Sequence, residues 1–219
     1  MRPRVPKPGY TLAVPTDRVL DCTGALLAGG CGARLGGVPK GLLRLDGSPL
    51  AARTLEIFAA LFERSLLVTS DPAPYQDLSV PLLADRVPGK GAPGGLHAAL
   101  HAARSGWVFA AACDMPFLRE EPIRFLAARR AGVLAVLVRC GGRLHPLHAL
   151  WSRDCLPALE ELLASGEPSL RDLALSVPTR VIEEAEWLEV DPGGRALENA
   201  NTPGDLSRLG LLPPPPGGR

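Results

Sequence analysis

The segment Leu26–Leu43 reads LLAGGCGARLGGVPKGLL and sets Gly29, Gly30, Gly32, Gly36 and Gly37 beside Arg34 and Lys40. Glycines let the main chain turn tightly and approach a ligand closely. Successive exposed N–H groups in such a loop form a nest for anions. With two cations added, the chemistry on offer is phosphate binding. The choice of Lys at 40 carries weight, because of 24 basic residues only Lys7, Lys40 and Lys90 are lysine. An ammonium on a flexible stem can follow a moving phosphate, where a guanidinium is a rigid fork. A solvated loop lysine in an arginine-biased chain is the competing reading. No G-x-x-x-x-G-K-[ST] run occurs, so this is not a Walker loop. Gly89, Gly91 and Gly94 do make a G-x-G-x-x-G, with Asp114 twenty positions beyond. That spacing imitates a dinucleotide fingerprint and would suit a nicotinamide-dependent oxidoreductase without Mg²⁺. Against it, the loop does not directly follow a strand, and Pro93 occupies the turn.

Asp114 ends an apolar run, WVFAAACDMP, where a carboxylate must be paired or bind a metal to be buried. Mg²⁺ takes one or two carboxylates plus substrate phosphate oxygens, which suits Asp114 facing the glycine loop. A helix N-cap or turn role before Pro116 is the alternative. Asp85 could accept from N1–H and N2–H₂ of guanine, or could be a turn residue paired with Arg86. Asn199 and Asn201, the chain's only asparagines, fall together before Thr202-Pro203. An amide oxygen can help ligate a metal or hold a phosphate-bearing acceptor, and a cap on the last helix is the other reading. His97 and His101 have i, i+4 ligand spacing but lack the Glu of H-E-x-x-H, so the pair reads as structural. His145 and His148, with Arg143, could meet an anionic acceptor or lie at a strand edge.

These groups need a scaffold, and the periodicity supplies one. Apolar runs at 23–28, 66–69, 80–84, 107–112 and 133–138 predict strands. Helical patterns follow Ser48-Pro49, read as an N-cap and first helical residue, and cover 96–104, 122–130 and 156–164. Strands apolar on both faces, alternating with helices, predict an α/β fold with a mostly parallel sheet. After Gly141-Gly142 a strand at 144–151 and a short piece at 179–190 suggest an antiparallel edge. In such sheets ligands bind beyond the carboxyl ends of the strands, where the glycine loop, Asp85 and Asp114 all fall.

The whole chain bounds this further. With 219 residues, 46% of them hydrophobic, one domain over 21–210 is expected. The Pro-rich residues 1–20 and the tail 211–219 read as disordered. Basic and acidic residues number 24 and 23, so nothing points to nucleic acid or membrane. Neither a secretory signal nor a spanning segment is legible, which points to the cytoplasm. Five scattered cysteines without C-x-x-C read as reduced thiols.

In combination, Leu27-Ala28-Gly29-Gly30 with Arg34, Gly36 and Lys40, then Asp85, Pro93-Gly94-Gly95-Leu96, Cys113-Asp114-Met115-Pro116, His145-Pro146 and Asn199-Ala200-Asn201-Thr202-Pro203, resemble the molybdenum cofactor guanylyltransferase family of nucleotidyltransferases. The resemblance covers residues 23–209. It implies a Rossmann-like three-layer α/β/α fold, GTP and molybdopterin cofactor as substrates, Mg²⁺, and a molybdoenzyme or chaperone receiving the product. It further implies that Leu27, Ala28 and Gly29 hold the nucleotide through their backbone, and that Lys40 meets its phosphates. Asp85 would take its guanosine part, Asp114 both nucleotide and Mg²⁺, with Asn199 and Asn201 on the acceptor side. Arg34 and Lys40 would neutralise the departing pyrophosphate. Where relatives often carry Asn after the second strand, this chain has Asp71. A related cytidylyl- or sugar-phosphate nucleotidyltransferase, or a non-catalytic molybdopterin carrier, are the other readings.

Overall fold

A computed structural model describes residues 18–29, 35–85, 87, 89–166 and 168–215. In chain order these form β1 (Cys22–Leu27), β2 (Arg44–Leu45), β3 (Ser48–Pro49), α1 (Leu50–Leu61), β4 (Arg64–Thr69), β5 (Leu82–Ala84), α2 (Gly91–Ala102) and β6 (Trp107–Ala112). There follow α3 (Glu120–Ala127), β7 (Ala135–Cys140), β8 (Arg143–Ser152), α4 (Leu156–Ala164), α5 (Leu170–Ser176), β9 (Thr179–Ile182), α6 (Glu184–Val190) and α7 (Pro203–Leu209).

Seven strands build the main sheet in the order β5-β4-β1-β6-β8-β7-β9. Only β8 runs against its neighbours, β6 and β7. The antiparallel strand is therefore interior, not at the edge where the change of rhythm placed it. The tight Gly141-Gly142 turn, both residues at positive φ, folds β8 straight back onto β7. β9 then pairs parallel to β7 on the outside.

The two faces of the sheet carry separate cores, which makes the three layers. In β6, Phe109 and Ala111 pack with Phe58, Phe62, Leu126 and Trp187 under α1, α3 and α6. Val108 and Ala110 pack with Leu96, Leu100, Trp151 and Leu159 under α2 and α4. This is the period-2 alternation of a strand buried on both sides. Gly24 sets how closely α1 can sit, since a Cβ there would lie 2.6 Å from the Phe58 ring.

Three local expectations are corrected. Ser48 is not a helix cap; it pairs with Leu45 across a two-residue turn at Asp46 and Gly47, both at positive φ. Such an Asp-Gly turn is a strong hairpin signal, and it moves the N-cap to Pro49. α2 begins at Gly91, five residues before the apolar periodicity does. The piece at 179–190 is β9 plus α6, and α5 before it was not legible from apolar spacing. At the two ends, Val19 and Leu211 are buried, and Leu212 exchanges backbone hydrogen bonds with Arg44 at 2.8 and 2.9 Å. Residues 1–17 and 216–219 lie outside the described residues. Within these, no helix is long and apolar enough to cross a membrane, and Cys22, Cys113, Cys140 and Cys155 are free thiols.

Candidate active site

Four separated residues meet at the carboxyl end of β6. Asp114 follows that strand, whose end is fixed by the Cys113 N–H donating to the Leu27 carbonyl at 3.1 Å. Lys40 opens a short 3-10 turn, Lys40–Leu42. Its Nζ donates to Asp114 Oδ2 at 2.8 Å and to Asn201 Oδ1 at 2.6 Å. Asn199 Nδ2 donates to the other carboxylate oxygen, Asp114 Oδ1, at 2.7 Å. The backbone repeats the link, with the Ala200 N–H on the Asp114 carbonyl at 3.0 Å.

The loop carrying both asparagines is held from below. Asp191 is 1% exposed and accepts from Arg119 at 3.0 Å and from the Ala196 N–H at 2.9 Å. Thr202 caps α7 in a reciprocal box with Asp205, whose carboxylate also accepts from the Asn201 N–H at 3.0 Å. Those bonds hold the Asp205 carboxyl down at about 2. The capping role thus falls to Thr202 and Asp205, while the side chains of Asn199 and Asn201 turn to Asp114 and Lys40.

Two clefts open on Asp114. The larger, about 800 Å³, lies beyond β1, β4, β5 and β6, and Lys40, Asp85 and Asp114 line it with Gly91 and Gly95 of α2. The smaller, about 280 Å³, is lined by Arg143, His145, Arg171 and Asn199. Ala112, Asp114 and Leu147 belong to both. A ligand in each would meet the other at the Asp114 carboxylate.

Asp85 is pinned on the wall of the larger cleft. Its Oδ1 accepts from the Val87 N–H at 2.9 Å, the turn role, and the carboxylate lies against α2. A Cβ on Gly94 would come within 2.8 Å of both Asp85 oxygens. Gly94, one residue of the apparent dinucleotide fingerprint, thus makes room for a carboxylate. Leu27 and Gly29 line the cleft, whereas the Ala28 N–H donates to the Val68 carbonyl at 2.8 Å. Ala28 therefore has no free amide for a phosphate, because that donor completes the β1–β4 ladder. Arg34 lies outside the described residues. Asp71 accepts from the Ala73 N–H at 3.1 Å and is not among the residues lining the cleft.

Among the described residues, neither cleft offers a thiolate. Burial, then the neighbouring Asp114 charge, pushes the Cys113 thiol up to about 12. His145 is half-buried with its ring against the Cys140 carbonyl at 3.3 Å, and burial chiefly lowers its pKa, so it is neutral at pH 7. His148 does not reach the smaller cleft. It is fully buried between the Phe109 and Trp187 rings, each 5.3 Å away, with no hydrogen-bond partner among the described residues. Its pKa falls to about 3, so it cannot meet an anion. His97 and His101 lie away from both clefts. The sequence reading missed Arg171, an exposed residue on α5. The Ser169–Asp172 capping box that starts α5 was the available signal.

Residues 24–181 match the family model described as MobA-like NTP transferase domain. A protein of Syntrophotalea carbinolica named molybdenum cofactor guanylyltransferase is 31% identical over 185 residues, 84% of this chain and 88% of its own. A Pseudomonas putida protein of the same name is 35% identical, covering 83% and 94%. Among solved structures, molybdopterin-guanine dinucleotide biosynthesis protein A from Archaeoglobus fulgidus superposes with a TM-score of 0.74 at 27% identity, over 85% of this chain and 95% of that one.

Proposed function

This chain belongs to the MobA-like NTP transferase family, and on that premise we propose that it transfers GMP from GTP to the phosphate of molybdopterin cofactor, forming the guanine dinucleotide cofactor. The observation that carries the reading is the position of Asp114, shared by a nucleotide-sized cleft and a smaller cation-lined one. An acceptor phosphate oxygen attacks the α-phosphorus in line; the new P–O bond forms as the bond to pyrophosphate breaks. An acceptor phosphate monoester is largely ionised at pH 7, so no strong base is needed, and the neutral His145 is no obstacle. Catalysis is then positioning and charge neutralisation.

GTP occupies the larger cleft, with the Asp85 carboxylate accepting from the Watson–Crick edge of guanine. Lys40 leaves Asp114 and Asn201 for the phosphates, joined by Arg34 and by main-chain amides from Gly29 onward. Arg143 and Arg171 draw the acceptor phosphate into the smaller cleft, and Asn199 keeps the Asp114 carboxylate aimed between the two. The donor set fits Mg²⁺. Each Asp114 oxygen accepts one hydrogen bond and retains a lone pair, and one carboxylate with substrate phosphates is the usual Mg²⁺ environment. Bound there, the ion would polarise the α-phosphate and offset charge on the pyrophosphate. In this reading the reaction runs in the cytoplasm, and a molybdoenzyme or its chaperone takes the product.

Pyrophosphate release by the purified chain with Mg²⁺, molybdopterin and either GTP or CTP tests this. Release with GTP supports the reading. Turnover with CTP, or with a sugar phosphate as the sole acceptor, would assign a related nucleotidyltransferase instead. Pterin binding without GTP binding would assign a carrier.

A further inference from the structure

The helices α2 and α4 bring together three side chains that the transfer reaction does not use. His97 and His101 stand one turn apart on α2, with ring centroids 4.5 Å from each other. Glu160 comes from α4. Its Oε1 lies 3.4 Å from His97 Nε2 and 3.2 Å from His101 Nε2. The three donor atoms all fall within 4.8 Å of one another, and among the described residues no other group of three or more His, Cys, Asp or Glu converges in this way.

The two carboxylate–imidazole separations match edges of a coordination tetrahedron. Ligands about 2.0–2.1 Å from a zinc ion at tetrahedral angles stand roughly 3.3 Å apart. The exposure is graded to match: His97 is 11% exposed at its side chain, His101 34% and Glu160 52%. An ion held between them would have a protein side and a solvent side open to water. His97 Nδ1 is buried without a partner among the described residues, and Nε2 is the ring atom that faces Glu160.

We propose that His97, His101 and Glu160 bind one divalent transition-metal ion of the zinc class, with water in the fourth position, stapling α2 to α4. Two imidazoles and one carboxylate select such ions over Mg²⁺, which prefers oxygen ligands. The site is separate from Asp114 and does not depend on the reaction assigned there. The first turn of α2 lines the larger cleft through Gly91 and Ala92, so the staple fixes the helix that forms that wall.

Titration of the full chain, free of any histidine tag, with Co²⁺ and then Zn²⁺ tests this. The proposal expects one Co²⁺ per chain with the visible bands of tetrahedral cobalt, displaced by Zn²⁺. Zn²⁺ at a hundredfold excess over its Kd should raise Tm by roughly 5–10 °C. His101→Ala and Glu160→Gln should each abolish the bands and the Tm shift while retaining pyrophosphate release. Glu160→Gln keeps the side-chain shape, so it decides the matter even if His101→Ala folds poorly. Absent bands in the parent chain, or bands unchanged in Glu160→Gln, would overturn the proposal. The trio would then be an ordinary hydrogen-bonded cluster, or the thiols would be the cobalt ligands.

Discussion

Lys40 Nζ rests 2.8 Å from Asp114 Oδ2, across 74 residues of chain, and the pair is mostly buried. The cation proposed for the phosphates is therefore held on the carboxylate proposed for the metal. Nucleotide binding must part them, replacing one anion by another at the ammonium. Lys40→Ala should lower turnover roughly 10²–10³-fold, the usual loss for one charge-stabilising contact. Lys40→Arg should not restore it, because the guanidinium fork cannot make the same move. Steady-state pyrophosphate release reads both.

Gly94→Ala should act through Asp85. The added Cβ would fall 2.8 Å from both Asp85 oxygens and 2.9 Å from the Val87 carbonyl, so the carboxylate must shift. The expected result is a raised KM for GTP and weakened preference over CTP, with the KM for the acceptor unchanged. Initial rates with each substrate varied in turn separate these.

The layers and the central strands were legible because β1, the second half of β4 and β6 carry short, fully buried apolar runs, the pattern of strands covered on both faces. Lys40, Asp85, Asp114 and the asparagines were legible as chemical exceptions in an apolar or arginine-rich context. The interior position of β8 was not, since strand order depends on pairing across the chain and not on local pattern. α5 was overlooked because its apolar stripe is only two turns long, and Arg171 was overlooked with it. His148 misled for a different reason: an i+3 spacing in a strand puts it on the opposite face from His145, and in β8 that face is the core.

Arg171→Ala tests the smaller cleft. A hydrogen bond to a charged group is worth about 1.5–3 kcal/mol, so the acceptor KM should rise roughly 10–100-fold. The KM for GTP should hold. Lys40→Ala should show a different pattern, with kcat reduced, so the two cations can be told apart by kinetics alone.

His148 makes stability depend on acidity. In the unfolded chain its imidazole takes a proton near pH 6.5, whereas in the folded core it stays neutral to about pH 3. Between those values the unfolded state holds the extra proton, so stability falls as pH falls, by up to about 1.4 kcal/mol per pH unit. His148→Phe, which keeps a ring between Phe109 and Trp187, should flatten that part of the curve. Denaturant midpoints between pH 6.5 and 4 measure the slope in both proteins.

The central claim is that one carboxylate, Asp114, serves both clefts in the transfer step. Asp114→Asn keeps an oxygen for Asn199 and the shape of the site but removes the charge. The decisive measurement is single-turnover transfer of label from α-³²P GTP to molybdopterin by the parent chain and by Asp114→Asn. GTP affinity without Mg²⁺ is measured alongside. Mg²⁺-free affinity should be equal or tighter, since Lys40 is released, and transfer should slow at least about a hundredfold, with extra Mg²⁺ giving little recovery. Transfer at near-parent rate by Asp114→Asn would contradict it.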